Sequence, residues 1–217
     1  MPEFDDHLEA LRERMARLTS LVQQAAELSV QSILNTDVAL AQKVDEMDAV
    51  IDDAEVQIEK QAIDLLCQFK PGADDVRQIT VIIKANNDFE RIADCAVNAA
   101  QRVVPLVRGQ FQVPSNLRLM CTSVLTTLRD TINAFNLSDE GTARQVLKGD
   151  DVVDALYLQI VQDTLGRLQA GGGDANVELS GIMIAKNMER IGDHCTNIAE
   201  NVVFAHTGQI IRHLHTV

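Results

Sequence analysis

Apolar and polar residues follow one another with the period of an α-helix along most of the chain, and the interruptions mark the element ends. A first helix is predicted over about 5–34, and Asn35-Thr36-Asp37 then offers Thr36 or Asp37 as the N-cap of a second. FKPGADD at 69–75 ends that second helix and starts a third. Pro105, Gly109 and Pro114 punctuate VPLVRGQFQVPSN at 104–116, which reads as a linker. Beyond it NLSDE at 136–140 repeats the capping pattern, AGGGDAN at 170–176 repeats the turn, and a last helix runs to about 206. The pattern predicts an all-α protein of six helices.

The second half repeats the first in detail. NNDFERIADCAVN at 86–98 and AKNMERIGDHCTN at 185–197 share E-R-I-x-D-x-x-x-N at an offset of 99 residues. Asp48-x-x-Ile51-Asp52 corresponds to Asp150-x-x-Val153-Asp154 at an offset of 102, as do Asp37 and Ala41 to Asp139 and Ala143. The second copy has therefore lost three residues in its turn, a change that a duplicated three-helix unit tolerates. Two tandem three-helix bundles are expected, one over 1–110 and one over 111–217.

Residues four apart stand on one helix face, so Glu90, Asp94 and Asn98 form a polar stripe with Asn87 and Gln101 close by. The second copy has Glu189, Asp193 and Asn197, with Glu200 near. The preceding helix carries Asp45, Asp48, Asp52, Glu55 and Glu59 within about a quarter of its circumference. Folding that helix back antiparallel brings residues equidistant from the turn level. Asp52 with Glu90 and Asp48 with Asp94 are both centred on residue 71. Asp154 with Glu189 and Asp150 with Asp193 are both centred between 171 and 172. Both copies bring two carboxylate pairs to one level, about 28 Å from the turn. Four facing carboxylates repel, and either protons or a cation must relieve them. Oxygen-only clusters suit Mg²⁺, Mn²⁺, Ca²⁺ or oxidised iron and are poor for structural zinc. The asparagines would orient a carboxylate or add a carbonyl.

Composition narrows the function. The core must be aliphatic, because hydrophobic residues make up 46% of the chain and aromatic ones only 3%. A net charge of −13 argues against nucleic acid as a partner and favours cations or basic protein surfaces. The amino-terminal residues do not resemble a signal peptide, and no run has the roughly 18–20 apolar residues of a membrane span, so a cytoplasmic protein is expected. Cys67, Cys95, Cys121 and Cys195 lack C-x-x-C spacing and are expected in the core. His194 points about 100° from Asp193 and is expected to support a ligand or to pack rather than to ligate itself. His206, His213 and His215 fall at or beyond the last helix, and Arg91 and Arg190 are expected to pair with acids of a neighbouring helix. Catalytic triads, phosphate loops and the Glu-x-x-His of di-iron bundles are all absent from the sequence, which disfavours an enzyme.

At these residues the chain resembles the PhoU proteins, regulators that accompany the high-affinity phosphate transport system of bacteria. Its marks are the doubled E-R-I-[AG]-D-x-x-x-N, the doubled D-x-x-[IV]-D, and KPGADDVRQI at 70–79. The resemblance implies a non-enzymatic protein that restrains phosphate uptake and a sensor histidine kinase when phosphate is plentiful. Its partners would be that kinase and the transporter's cytoplasmic ATPase subunit, with membrane contact only through them; homodimerisation is left open. It also implies iron, Mn²⁺ or Mg²⁺ on Asp48, Asp52, Glu90 and Asp94 and on Asp150, Asp154, Glu189 and Asp193. A metal-free acidic adaptor docking on basic partners is the alternative. The second copy has Tyr157 and Val161 where the first has Glu55 and Glu59, so its site is expected to hold metal more weakly.

Overall fold

The computed structural model describes residues 2–211, apart from the side chains of Pro2 and Asp150; His213 and His215 lie outside the described residues. The first half consists of α1 (Pro2–Asn35), α2 (Val38–Phe69) and α3 (Ala73–Ala100), with a short α4 (Val103–Arg108) after them. The second consists of α5 (Ser115–Asn136), α6 (Glu140–Lys148), α7 (Asp150–Gln169) and α8 (Ala175–Thr207). These segments make six rods, because α6 and α7 together take the place of α2. Gly149 separates them, whereas the matching residue of the continuous α2 is Met47. Glycine in a helix interior costs backbone entropy, and the break falls there. The expected linker is partly ordered as well: α4 accommodates Pro105 in its first turn, where no intrahelical N–H donor is lost.

The duplication shows in the turns. Thr36 and Ser138 both adopt left-handed backbone, with φ of 49° and 51°. Asp37 then accepts hydrogen bonds from the amides of Ala39 and Leu40, and Asp139 from those of Gly141 and Thr142. Asp37, not Thr36, is therefore the cap of α2. The turns before the third rod differ. Lys70 (φ 47°) closes α2 and Pro71 prevents its continuation. In the other copy Gly171 and Gly173 supply positive φ, and Asp174 caps α8.

The third rods, α3 and α8, are the central pair. They pack on each other and on the rods of their own halves. Asp88 of α3 meets His194 and Asn197 of α8, and Lys84 lies over the ring of Phe204, so the two helices run antiparallel. Small residues let them approach: Ala93, Ala96, Ala99, Gly192 and Ala199 are all buried. One continuous core results, to which both halves contribute. Ile92, Ala96, Ala99 and Val103 face it. Cys95, Cys121 and Cys195 are buried, but Cys67 is exposed near the end of α2, contrary to expectation.

Candidate metal centres

On the first face, the central positions of α3 meet the N-terminal half of α2. Asp94 of α3 acts on Asp48 of α2, and Asp52 of α2 acts on Glu90 of α3, which are the two pairs expected from symmetry about residue 71. Burial is the largest influence on Asp48 and lifts its carboxyl above the ordinary range; Asp52, Asp94 and Asp45 add to this. Glu55 is raised by burial and then by Glu59 and Asp52. Glu90 is raised by burial and then by Asp94, with Arg91 opposing. Desolvation and like charge act together here, as in any site where negative charge is crowded.

Two buried oxygens on this face lack a hydrogen bond. One is Oε2 of Glu90, which lies 3.4 Å from Nε of Arg91 in an ion pair without hydrogen-bond geometry. The other is Oδ1 of Asn86, one turn before Glu90. Asn86 is fully buried, and its Nδ2 donates to the carbonyl and carboxylate of Glu55 at 3.0 and 3.2 Å. Asn87, expected beside the stripe, is exposed, and Asn86 is the residue that lines it. The spacing 86, 90, 94, 98 contained that signal. Gln101 is close as expected, donating to Asp45 at 2.9 Å. Asn98 instead donates to the carbonyl of Asp94 on its own helix, so it orients no carboxylate. Arg91 pairs with Glu90 and Asp94 of its own helix, not with a neighbour.

On the second face Asp154 of α7 meets Glu189 and Asp193 of α8. One carboxylate oxygen from each lies within 4.8 Å of the others. Burial, then Glu189 and Asp151, raise Asp154. The structure describes the backbone of Asp150 at the start of α7 but not its side chain. Asn197 does reach a carboxylate, but it is Asp88 of α3, which also lies 3.0 Å from Nδ1 of His194. His194 thus packs the halves together. Lys186 donates to both oxygens of Glu189 at 2.8 and 2.6 Å, with its ammonium 5.3 Å from the centroid of Tyr157. This copy therefore carries an internal cation where Glu55 and Asn87 stand in the first. The charges of Arg190 and Asp193 act on Cys95 of α3, so the two faces flank the α3–α8 contact.

A cation fits the second lining as it stands, whereas among the described residues the first face brings no three carboxylates within 4.8 Å of one another. Ligands on opposite sides of Mg²⁺ or Ca²⁺ stand about 4–5 Å apart, which matches the span of the second cluster. Every donor is oxygen, the donor type that hard ions prefer. In the first face a cation would satisfy the buried oxygens that lack donors.

The family model for the PhoU domain matches the chain twice, over residues 15–103 and 117–202. The chain belongs to the PhoU family. It is 31% identical over 210 residues to a phosphate-specific transport system accessory protein PhoU homolog of Rhizobium meliloti, covering 96% of this chain and 89% of the relative. A homolog of the same description from Thermotoga maritima is 31% identical, covering 95% and 90%. The crystal structure of PhoU from Pseudomonas aeruginosa superposes with a TM-score of 0.90 at 28% identity, covering 95% of this chain and all of that one. The phosphate transport regulatory protein PhoU of Streptococcus pneumoniae, 24% identical with a TM-score of 0.89 over 95% and 98%, shares the fold. Membership in this family of transport accessory proteins makes the chain a non-enzymatic protein. Among the described residues no helix is long and apolar enough to cross a membrane.

Proposed function

We propose that this PhoU-family chain is a cytoplasmic, metal-binding regulator of phosphate homeostasis that holds down high-affinity phosphate uptake and the phosphate-starvation response. Its partners in that reading are the ATPase subunit of the phosphate transporter and a sensor histidine kinase. The observation that carries the metal is the convergence of Asp154, Glu189 and Asp193 in one copy and the mutual influence of Asp48, Asp52, Glu90 and Asp94 in the other. By repeat symmetry Asp150, which matches Asp48, is the fourth residue proposed for the second set. Divalent or trivalent ions such as Mg²⁺, Mn²⁺ or iron would be held by these carboxylates, screening their repulsion and fixing α2 to α3 and α7 to α8.

Lys186 favours a second reading for the second face. It already neutralises Glu189, so this cluster persists without an ion and would serve as a docking surface for a basic partner. Elemental analysis of protein purified without chelator separates the readings, alongside a variant with Glu90→Ala, Asp94→Ala, Glu189→Ala and Asp193→Ala. More than one equivalent of metal in the native protein and none in the variant supports the metal reading. Two empty proteins at saturating Mg²⁺, Mn²⁺ and iron leave docking faces only.

A further inference from the structure

The two copies also differ at one end of the molecule, away from both acidic faces. A groove of about 620 Å³ opens between the N-terminal halves of α1 and α3 and the last turns of α5 and α8. Its floor is apolar, with Met15, Ile82, Phe135 and Val202, and Glu9 and Glu13 stand at its edge. Side-chain bonds hold its walls: Arg12 donates to Gln78 at 2.6 Å, and Nε2 of His206 lies 2.6 Å from the carbonyl of Ser138.

At the symmetry-related place in the other copy there is an occupant. The residue 99 positions after Ile82 is Gly181, and a Cβ there would lie 3.3 Å from the ring of Phe111. Phe111 follows α4 in Gly109-Gln110-Phe111, and Gly208-Gln209-Ile210 follows α8 at the same offset of 99. The two glycines take similar positions, Gly109 against Val177 near the start of α8 and Gly208 against Arg77 near the start of α3. The residue pairs are complementary too. A large ring covers a glycine in one copy, and isoleucine would cover isoleucine in the other, at similar total volume. Yet Ile210 is 69% exposed, and so is Leu137 at the groove, at 76%, where the first copy has the polar Asn35.

We propose that this groove is the docking site of the chain's own carboxyl-terminal segment, residues 210–217. The sequence IIRHLHTV places apolar Leu214 one helical turn or a short extended step beyond Ile210. Arg212 gives the segment one formal positive charge, and Glu9 and Glu13 at the groove edge already pair with Arg12 and Arg17, so the apolar residues and not charge would hold it. Ile211 is already packed against the core, and residues 212–217 reach about 20 Å when extended, enough to run along the groove.

The chain has no tryptophan, so Leu214→Trp introduces a unique fluorophore. Docking predicts blue-shifted emission and quenching by acrylamide several-fold less efficient than in a free peptide of residues 210–217 bearing the same substitution. Adding Leu137→Asn, which puts the first copy's residue at this exposed groove position, should return emission and quenching towards the peptide values while the helical signal in circular dichroism is unchanged. Peptide-like emission in the parent variant overturns the proposal. Protection that grows with protein concentration also overturns it, because the groove would then receive the segment of a second copy.

Discussion

Glu90→Gln should make the protein more stable without metal and less stable with it. In the structure the Glu90 side chain is only 19% exposed, so solvent screens it weakly. Three carboxylates act against it: Asp94 one turn along, and Asp52 and Glu55 across the interface; Arg91 acts in its favour. At about 0.2–0.5 kcal/mol per pair, three repulsions less one attraction leave roughly 0.4–1 kcal/mol, and desolvation adds to this. Removing the charge while keeping the shape should therefore raise the melting temperature in chelator by about 1–4 °C for a chain of this size. A cation reverses the order. At a metal concentration of about 100 Kd the native protein gains about 2.7 kcal/mol. Loss of one carboxylate ligand that weakens binding about 100-fold leaves a gain of only about 0.4 kcal/mol. Thermal denaturation followed by far-UV circular dichroism, in chelator and in Mn²⁺, reads both arms. A variant that melts below the native protein in chelator refutes the repulsion, and equal gains in Mn²⁺ refute a ligand role for Glu90.

Mild acid should stabilise the metal-free protein. Asp48, Glu55, Glu90 and Asp154 are raised above their ordinary 3.8 or 4.5, so the folded state holds more protons and stability falls as pH rises from those values through the folded ones. Asp139 has the opposite sign, held low by Thr142, and its contribution is lost as pH falls through its folded value. Melting temperatures in chelator that rise steadily from pH 5 to 7.5 would contradict the net direction. Gly173→Ala should cost about 1–3 kcal/mol, because φ there is 81° and a Cβ would stand 2.8 Å from Oε1 of Glu178, which Arg167 already holds at 3.2 Å; urea denaturation measures it. One thiol, Cys67, should react quickly with Ellman's reagent in the native protein, since burial pushes Cys95 up to about 11 and Cys121 up to about 12; three fast equivalents would show that the core opens.

The helices, their order and the facing carboxylates were legible because each depends on local periodicity and on a single symmetry about each turn. The pairs Asp52–Glu90 and Asp48–Asp94 needed only the position of Pro71 and the antiparallel return of a helix. What escaped depended on contacts between elements. Arg91 was expected to reach across but found acids one and three residues away, the cheaper choice in side-chain entropy. Asn197 and His194 stand on the right helix, yet they serve Asp88 because α3 and α8 pack on each other, a contact that no repeat pattern within one half contains. The break at Gly149 was readable in principle, but a single glycine inside a helical pattern is often tolerated.

The duplication has been conserved in geometry and changed in charge. Both copies retain the acid at the E and D positions of their third rods, and both set acids of the preceding rod against them. The second copy has exchanged Glu55 for Tyr157 and Asn87 for Lys186, and the lysine then sits between the ring and Glu189. A carboxylate was removed and an ammonium introduced at one place, which lowers the negative charge by two. In the first copy the corresponding charge is left to Arg91, whose approach to Glu90 makes no hydrogen bond, and to whatever cation the face binds. An external ion therefore has more uncompensated charge to neutralise in the first face than in the second, although the second has the tighter oxygen cluster. Stepwise chelation should empty the second face before the first, and Lys186→Met should narrow the gap between the two steps by freeing Glu189 for the ion.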